Sequence, residues 1–203
     1  MKPTFIVAVN GSPNSKGSTA FMLNEALSEV ERLGARTTTL HCQRLMRGSQ
    51  RSFCTACTTP CTGKCYEGKP LEEAFSLLAQ ADGLLVGSPV YFGSVSAQLK
   101  AFWDKTRRLR NQKLLMNVVA GALSVGSSRF GGQEAALRTM HDIFLVHGMV
   151  IVGDGHIEDD CGHFGVAAQR PPQNDEEALK RCRILGKRVF QVAEATRGLR
   201  ERT

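Results

Sequence analysis

No apolar run in this chain of 203 residues comes near the ~20 residues that a bilayer crossing needs. Met1-Lys2-Pro3-Thr4 leads directly into a short apolar stretch, without the core of a secretory leader. The expectation is a cytoplasmic protein with no membrane partner. The triphosphate pattern G-x-x-x-x-G-K-S/T is missing, because Lys16 precedes Gly17 instead of following it. The dinucleotide fingerprint G-x-G-x-x-G and the nucleophile elbow G-x-S-x-G are missing as well, and no Ser–His–Asp set can be argued. Net charge is +7, with basic residues gathered in Lys105–Lys113 and in the tail from Lys180 to Arg202. Apart from Phe190 these stretches hold no interleaved aromatics, which argues against nucleic acid and leaves anionic cofactors as the partners they suit. No internal repeat or low-complexity segment interrupts the chain. Its length predicts a single domain over residues 1–203.

What is present begins with Gly11-Ser12-Pro13-Asn14-Ser15-Lys16-Gly17-Ser18-Thr19, between the apolar run Phe5–Val9 and a helical pattern starting near Ala20. A strand that turns through Gly and Ser into a helix makes an anion site. Backbone N–H groups and the positive end of the helix dipole converge there. Ser12, Asn14, Ser15, Ser18 and Thr19 add side-chain donors, which suits a single terminal phosphate without a metal.

Apolar periodicity then predicts alternating strands and helices. The strands are Thr4–Asn10, Thr37–Leu40, Gly83–Ser88, Leu114–Ser124 and Met149–Val152. The helices are Ser18–Leu33, Pro70–Gln80, Ala97–Arg108, Gly132–His147, and a last one from Asp175 toward residue 203. Such alternation implies an α/β fold, a three-layer sandwich on a five-stranded parallel sheet of order 2-1-3-4-5. Its ligand crevice opens at the carboxyl ends of strands one and three. Two stretches read as long irregular insertions, Cys42–Lys69 and Asp154–Asn174.

A second loop, Ser88-Pro89-Val90-Tyr91-Phe92-Gly93-Ser94-Val95-Ser96, falls beside the first in that order. Tyr91 and Phe92 offer flat apolar surface for a planar ring. A third Gly/Ser loop, Ser124 to Gly132, precedes Gln133 and Glu134 at the start of a helix. Together the three sequences resemble the NADPH-dependent FMN reductase family, over about Phe5 to Val152. Gly87–Lys105 is the most specific part. The resemblance implies a flavodoxin-like fold holding FMN non-covalently, with NAD(P)H as co-substrate. It implies phosphate contacts from Ser12, Asn14, Ser18 and Thr19. Pro89, Val90, Tyr91, Phe92 and Gly93 would border the isoalloxazine, with Ser124, Gly126 and Gly132 on its other side or along the ribityl chain. By the same analogy the protein forms a homodimer or homotetramer. No general acid or nucleophile is required, since the flavin carries the chemistry.

Seven cysteines are present, an odd number, and four crowd into Cys54-x2-Cys57-x3-Cys61-x3-Cys65. Without a secretory signal, that crowding argues for metal or redox use. A [4Fe-4S] cluster, structural zinc, and free thiols all remain open on spacing alone. Iron-sulfur flavoproteins in this family carry a similar motif in the corresponding region, usually with gaps of two, two and a longer one. This chain departs from that spacing. A cluster here would imply a ferredoxin-like electron donor in place of NAD(P)H. Asp159, Asp160, Cys161, His156 and His163 read as a polar surface loop, and Cys42 and Cys182 as small buried hydrophobes. A quinone or azo-compound reductase on the same fold and a non-enzymatic metal-stabilised module are the other readings.

Overall fold

The computed structural model describes residues 2–200 apart from 48 and 50. Arg202 of the basic tail lies outside the described residues. Phe5–Asn10 (β1) is buried along its whole length, as a parallel strand covered on both faces must be. Its side chains part by parity. Phe5, Val7 and Val9 enter one core, Ile6 and Ala8 the other. β1 pairs in parallel with Arg36–His41 (β2) and Gly83–Pro89 (β3). Outward from β3 come Val119–Gly126 (β4) and Val150–Ile151 (β5). The order is β2-β1-β3-β4-β5, as expected.

The helices are Ser18–Arg32 (α1), Cys42–Arg47 (α2), Pro70–Gln80 (α3), Ala97–Asp104 (α4), Arg107–Asn111 (α5), Gln133–Val146 (α6) and Glu176–Ala195 (α7). α1 and α7 cover one face through Met22, Leu23, Ala26, Cys182, Leu185 and Val189. α3, α4 and α6 cover the other, where Phe75, Phe102, Trp103 and Phe144 form a chain of tilted and edge-on rings. Each such ring contributes about 1.5–3 kcal/mol by leaving water. Cys42 and Cys182 are fully buried, and burial pushes both thiols far above their usual range. No described helix is long and apolar enough to cross a membrane.

Four boundaries differ from the sequence reading. The helix expected over 97–108 breaks at Lys105–Thr106, where Thr106 Oγ1 donates back to the Trp103 carbonyl at 2.6 Å and the last turn tightens. The fourth strand starts at Val119 because Leu114–Val118 are consumed in turns, with Lys113 and Asn117 at φ 55° and 63°. The stretch from Cys42 opens with α2 rather than irregular chain. Finally, Asp154–Asn174 contains a further strand, Val166–Gln169 (β6). β5 pairs with Val119 and Ala120, while β6 pairs with Leu123 to Gly126 on the same side of β4. The edge strand is therefore interrupted and resumed. Gly165, at φ 145°, makes the re-entry possible, because a Cβ there would collide with the Ala122 carbonyl.

Candidate functional site

Three loops meet at the carboxyl edge of the sheet. The first, Gly11–Gly17, is built by its own polar side chains in relay. Asn10 Oδ1 accepts from Ser12 N at 2.9 Å, Ser12 Oγ from Asn14 N at 3.1 Å, and Asn14 Oδ1 from Lys16 N at 2.9 Å. Ser12 keeps its O–H and Asn14 its amide NH2 as free donors. Gly17 caps α1, and no side chain satisfies the N–H groups of the first turn. Those N–H groups and the positive end of α1 are therefore directed at the loop, with Ser18 and Thr19 in that turn. Thr19 is almost fully buried, its methyl facing Gly87 of β3.

Two contributors here are absent from the sequence reading. Asn10 is fully buried at the end of β1, and its Nδ2 donates to His41 Nδ1 at 3.2 Å. Its signal was a polar residue closing an apolar strand just before a glycine. Arg44 of α2 reaches Ser15 Oγ at 3.0 Å. With Arg47 and His41, it lines a cavity of about 330 Å3 along the loop. Burial, then the charge of Arg44, pushes the His41 pKa down.

The second loop leaves β3 at Pro89. Val90 N donates to Val125 O at 2.9 Å, and Tyr91 and Ser94 exchange both backbone bonds at 3.0 Å. Phe92 and Gly93 fill this tight turn at φ 50° and 72°. Positive φ is unusual for a bulky residue, and it holds Phe92 fully exposed at the tip beside half-exposed Tyr91. Ser96 ties three parts together. Its Oγ accepts from Leu99 N at 3.1 Å, capping α4, and donates to the Gly11 carbonyl of the first loop. Its own N–H donates to Ser88 Oγ at 3.0 Å.

The third loop, Gly126–Gly132, is folded around buried Gln133. Its Oε1 accepts from Gly131 N at 2.8 Å and its Nε2 donates to Ser128 O at 2.6 Å. Ser124 is fully buried with its hydroxyl donating to the Gln133 carbonyl, so it supports the loop from below. Gly126 presses on the Gln133 amide, leaving no room for a side chain. Gly132 has φ 94°, and a Cβ there would sit 2.9 Å from Gly93 Cα. The second and third loops thus touch backbone to backbone. The structure brings together the Ser12–Thr19, Pro89–Gly93 and Gly126–Gly132 sets named from sequence.

The cysteine segment is placed differently. Cys54, Cys57, Cys61 and Cys65 are free and half-buried or exposed. Among the described residues, no group of three or more His, Cys, Asp or Glu is placed to hold a metal ion. The donor set suits an iron–sulfur cluster in kind, but the loop as folded does not gather it round one centre. Tyr66 anchors the segment, edge-on to Phe75 at 4.9 Å. Burial, then the Cys61 and Cys65 thiols, pushes its pKa up to about 12, against an opposing pull from Arg108. Cys54 lies over a cavity of about 450 Å3 that reaches Trp103 and His147. His147 Nε2 lies 2.9 Å from Thr106 Oγ1. That hydroxyl's proton goes to the Trp103 carbonyl, so the imidazole donates through Nε2–H. Burial, reinforced by Arg110, pushes the His147 pKa down to about 4.

The profile of the NADPH-dependent FMN reductase family matches residues 4–163. An iron-sulfur flavoprotein of Methanocaldococcus jannaschii is 36% identical over 195 residues, covering 93% of this chain and 97% of its own length. An NAD(P)H dehydrogenase (quinone) of Chromohalobacter salexigens is 42% identical over 78 residues, 38% of this chain and 39% of its own. Among solved structures, a flavodoxin, WrbA-like protein from Agrobacterium tumefaciens superposes with a TM-score of 0.66 at 20% identity. That match covers 96% of this chain and 99% of the other, and it attests the fold. With an uncapped α1 N-terminus and two abutting glycine loops at one sheet edge, this chain belongs to the NADPH-dependent FMN reductase family and is an FMN-dependent oxidoreductase.

Proposed function

We propose that the crevice holds FMN with its phosphate on the first loop, its ring against the second, and its far side along the third. The observation that carries this reading is the α1 N-terminus, whose N–H groups are left without a side-chain cap at the mouth of the first β–α unit. Ser12, Asn14, Ser18 and Thr19 donate to the phosphate. Pro89, Val90, Tyr91, Phe92 and Gly93 border the isoalloxazine. Gly126 and Gly132 present backbone on its other side, with Ser124 bracing them. FMN held by these residues would supply hydride and electron transfer between NAD(P)H and an acceptor. The chain's own work is positional. Ser96 fixes the first loop against α4, and Gln133 fixes the third, so both are set before the cofactor arrives.

Titration of the apoprotein tests the site. Ser18→Asp places a carboxylate where the phosphate sits and lowers FMN affinity at least about 100-fold. Riboflavin, which lacks the phosphate, loses little. Equal losses for both flavins, or none, overturn the phosphate assignment. Tyr91→Ala weakens both flavins alike.

The chain acts as one domain, and a homodimer or homotetramer covers the rim, where Phe92 stands exposed. A cytoplasmic location accords with seven free thiols. The iron-sulfur flavoprotein relative supports a [4Fe-4S] cluster on Cys54, Cys57, Cys61 and Cys65 once the loop closes; a ferredoxin-like donor would then stand in place of NAD(P)H. Anaerobic iron and sulfide analysis decides it. The quinone dehydrogenase relative supports a quinone acceptor, tested by steady-state turnover with a soluble quinone.

A further inference from the structure

On the far side of the third loop from the flavin crevice lies a cavity of about 860 Å3, at the upper end of the range for small-molecule sites. It is built against the carboxyl end of β6, which Arg170 N fastens to the loop by donating to Gly126 O at 2.9 Å. Arg129, Phe130, Glu134, Arg170 and Glu176 are among its walls. Phe130 is 93% exposed, and the Arg129 guanidinium lies 5.5 Å from its ring centroid. Among the described residues, neither Arg129 nor Arg170 has an ion-pair partner. Gly132 belongs to this cavity and also abuts Gly93 at the ring rim. The cavity and the flavin crevice therefore share one wall.

An exposed aromatic plane stacks a purine. Two unpaired guanidiniums grip phosphate, and carboxylates accept from ribose hydroxyls and the adenine amino group. We propose that this cavity takes the adenosine 2′-phosphate half of the nicotinamide donor, and that Arg129 and Arg170 select NADPH over NADH. The proposal rests on the reading that a nicotinamide dinucleotide reduces the bound FMN. The dinucleotide's other half then passes Phe130 and Gly132 toward the ring.

The test uses FMN-loaded protein, so the phosphate site on the first loop is already filled. Calorimetric titration compares adenosine 2′,5′-bisphosphate with 5′-AMP, which differ only in the 2′-phosphate. The wild type binds the bisphosphate at least about tenfold tighter, a difference of about 1.4 kcal/mol. In the Arg129→Ala/Arg170→Ala variant that preference disappears, while FMN affinity and melting temperature hold. The Arg129→Lys/Arg170→Lys variant keeps part of it, because the charge remains without the bidentate fork. Equal affinity for the two nucleotides in the wild type, or a preference that survives the double alanine variant, overturns the proposal. Turnover separates the two layers. Wild-type flavin that NADPH reduces, with no 2′-phosphate preference in titration, refutes the cavity assignment alone. Flavin that NADPH fails to reduce refutes the donor reading beneath it.

Discussion

The insertion at 153–165 and the cysteine segment at 51–69 both leave the sheet as polar, irregular chain, but only the first is completed by protein contacts. Arg181 of α7 grips both Asp160 oxygens at 2.6 and 2.8 Å, bonds Glu177 at 2.8 Å and lies 3.7 Å from buried Asp154. Asp154 Oδ1 in turn accepts from His163 N at 2.5 Å. Lys187 holds Glu158 at 2.6 Å, and His156 Nε2 meets Gln191 Oε1 at 3.1 Å. The carboxylates and His156, which could have suggested a metal, are thus engaged by α7, while the His163 ring faces Asp154. Arg181 holds the Asp160 carboxyl well below the usual range. The cysteine segment has an anchor at Tyr66, a 3.4 Å bond from Arg108 to Thr62 O and a 3.0 Å bond from Lys69 to Cys65 O. Its thiols take little part in these ties. One insertion is closed by the fold, and the other keeps its donors available to something else.

The largest expected effect breaks the closed insertion. Arg181→Ala leaves Asp154 buried without its cation and costs about 2–4 kcal/mol, read from urea unfolding. A loss below about 0.5 kcal/mol would mean the ion pairs merely decorate the surface. Acid comes next, at the base of the open segment. The folded pKa of His147 lies near 4 and the ordinary value near 6.5. Its stabilising contribution is therefore complete above pH 6.5 and is lost as pH falls toward 4. The expected loss is about 2 kcal/mol at pH 5. His147→Gln flattens that part of the stability–pH curve, while an unchanged slope assigns it to other groups. The smallest effect is the sharpest contrast. Replacing Cys54, Cys57, Cys61 and Cys65 together by Ser changes the metal-free protein's stability by within about 0.5 kcal/mol. A drop comparable to that of Arg181→Ala would show that the thiols pack the loop.

Sheet order and the three crevice loops were legible because each is a contiguous pattern. An apolar run ends in Gly and Ser, and a helix period follows. α2 was not, since six residues from Cys42 to Arg47 are too few to display a helical repeat. β6 was hidden for the same reason, being four residues inside a polar stretch and recognisable only beside β4. The contact from Arg44 to Ser15 joins residues far apart in sequence, and no local pattern encodes it. Ser12 and Asn14 were read as phosphate donors. The structure gives them a prior task, accepting the backbone N–H groups that shape the loop. The cysteine spacing offers four candidate ligands without fixing a geometry, and the loop as folded leaves them half-buried or exposed and apart.

The interrupted edge of the sheet makes the molecule modular at one point. Because β6 resumes alongside β4 after β5 has stopped, the chain between Val152 and Val166 leaves and re-enters one edge of the sheet, where α7 fastens it. A shorter or longer segment spliced there would leave the pairing of β4 with β3 intact but would give up the ties to Arg181 and Lys187. New specificity grafted there would therefore sit beside the third loop, at a cost in stability.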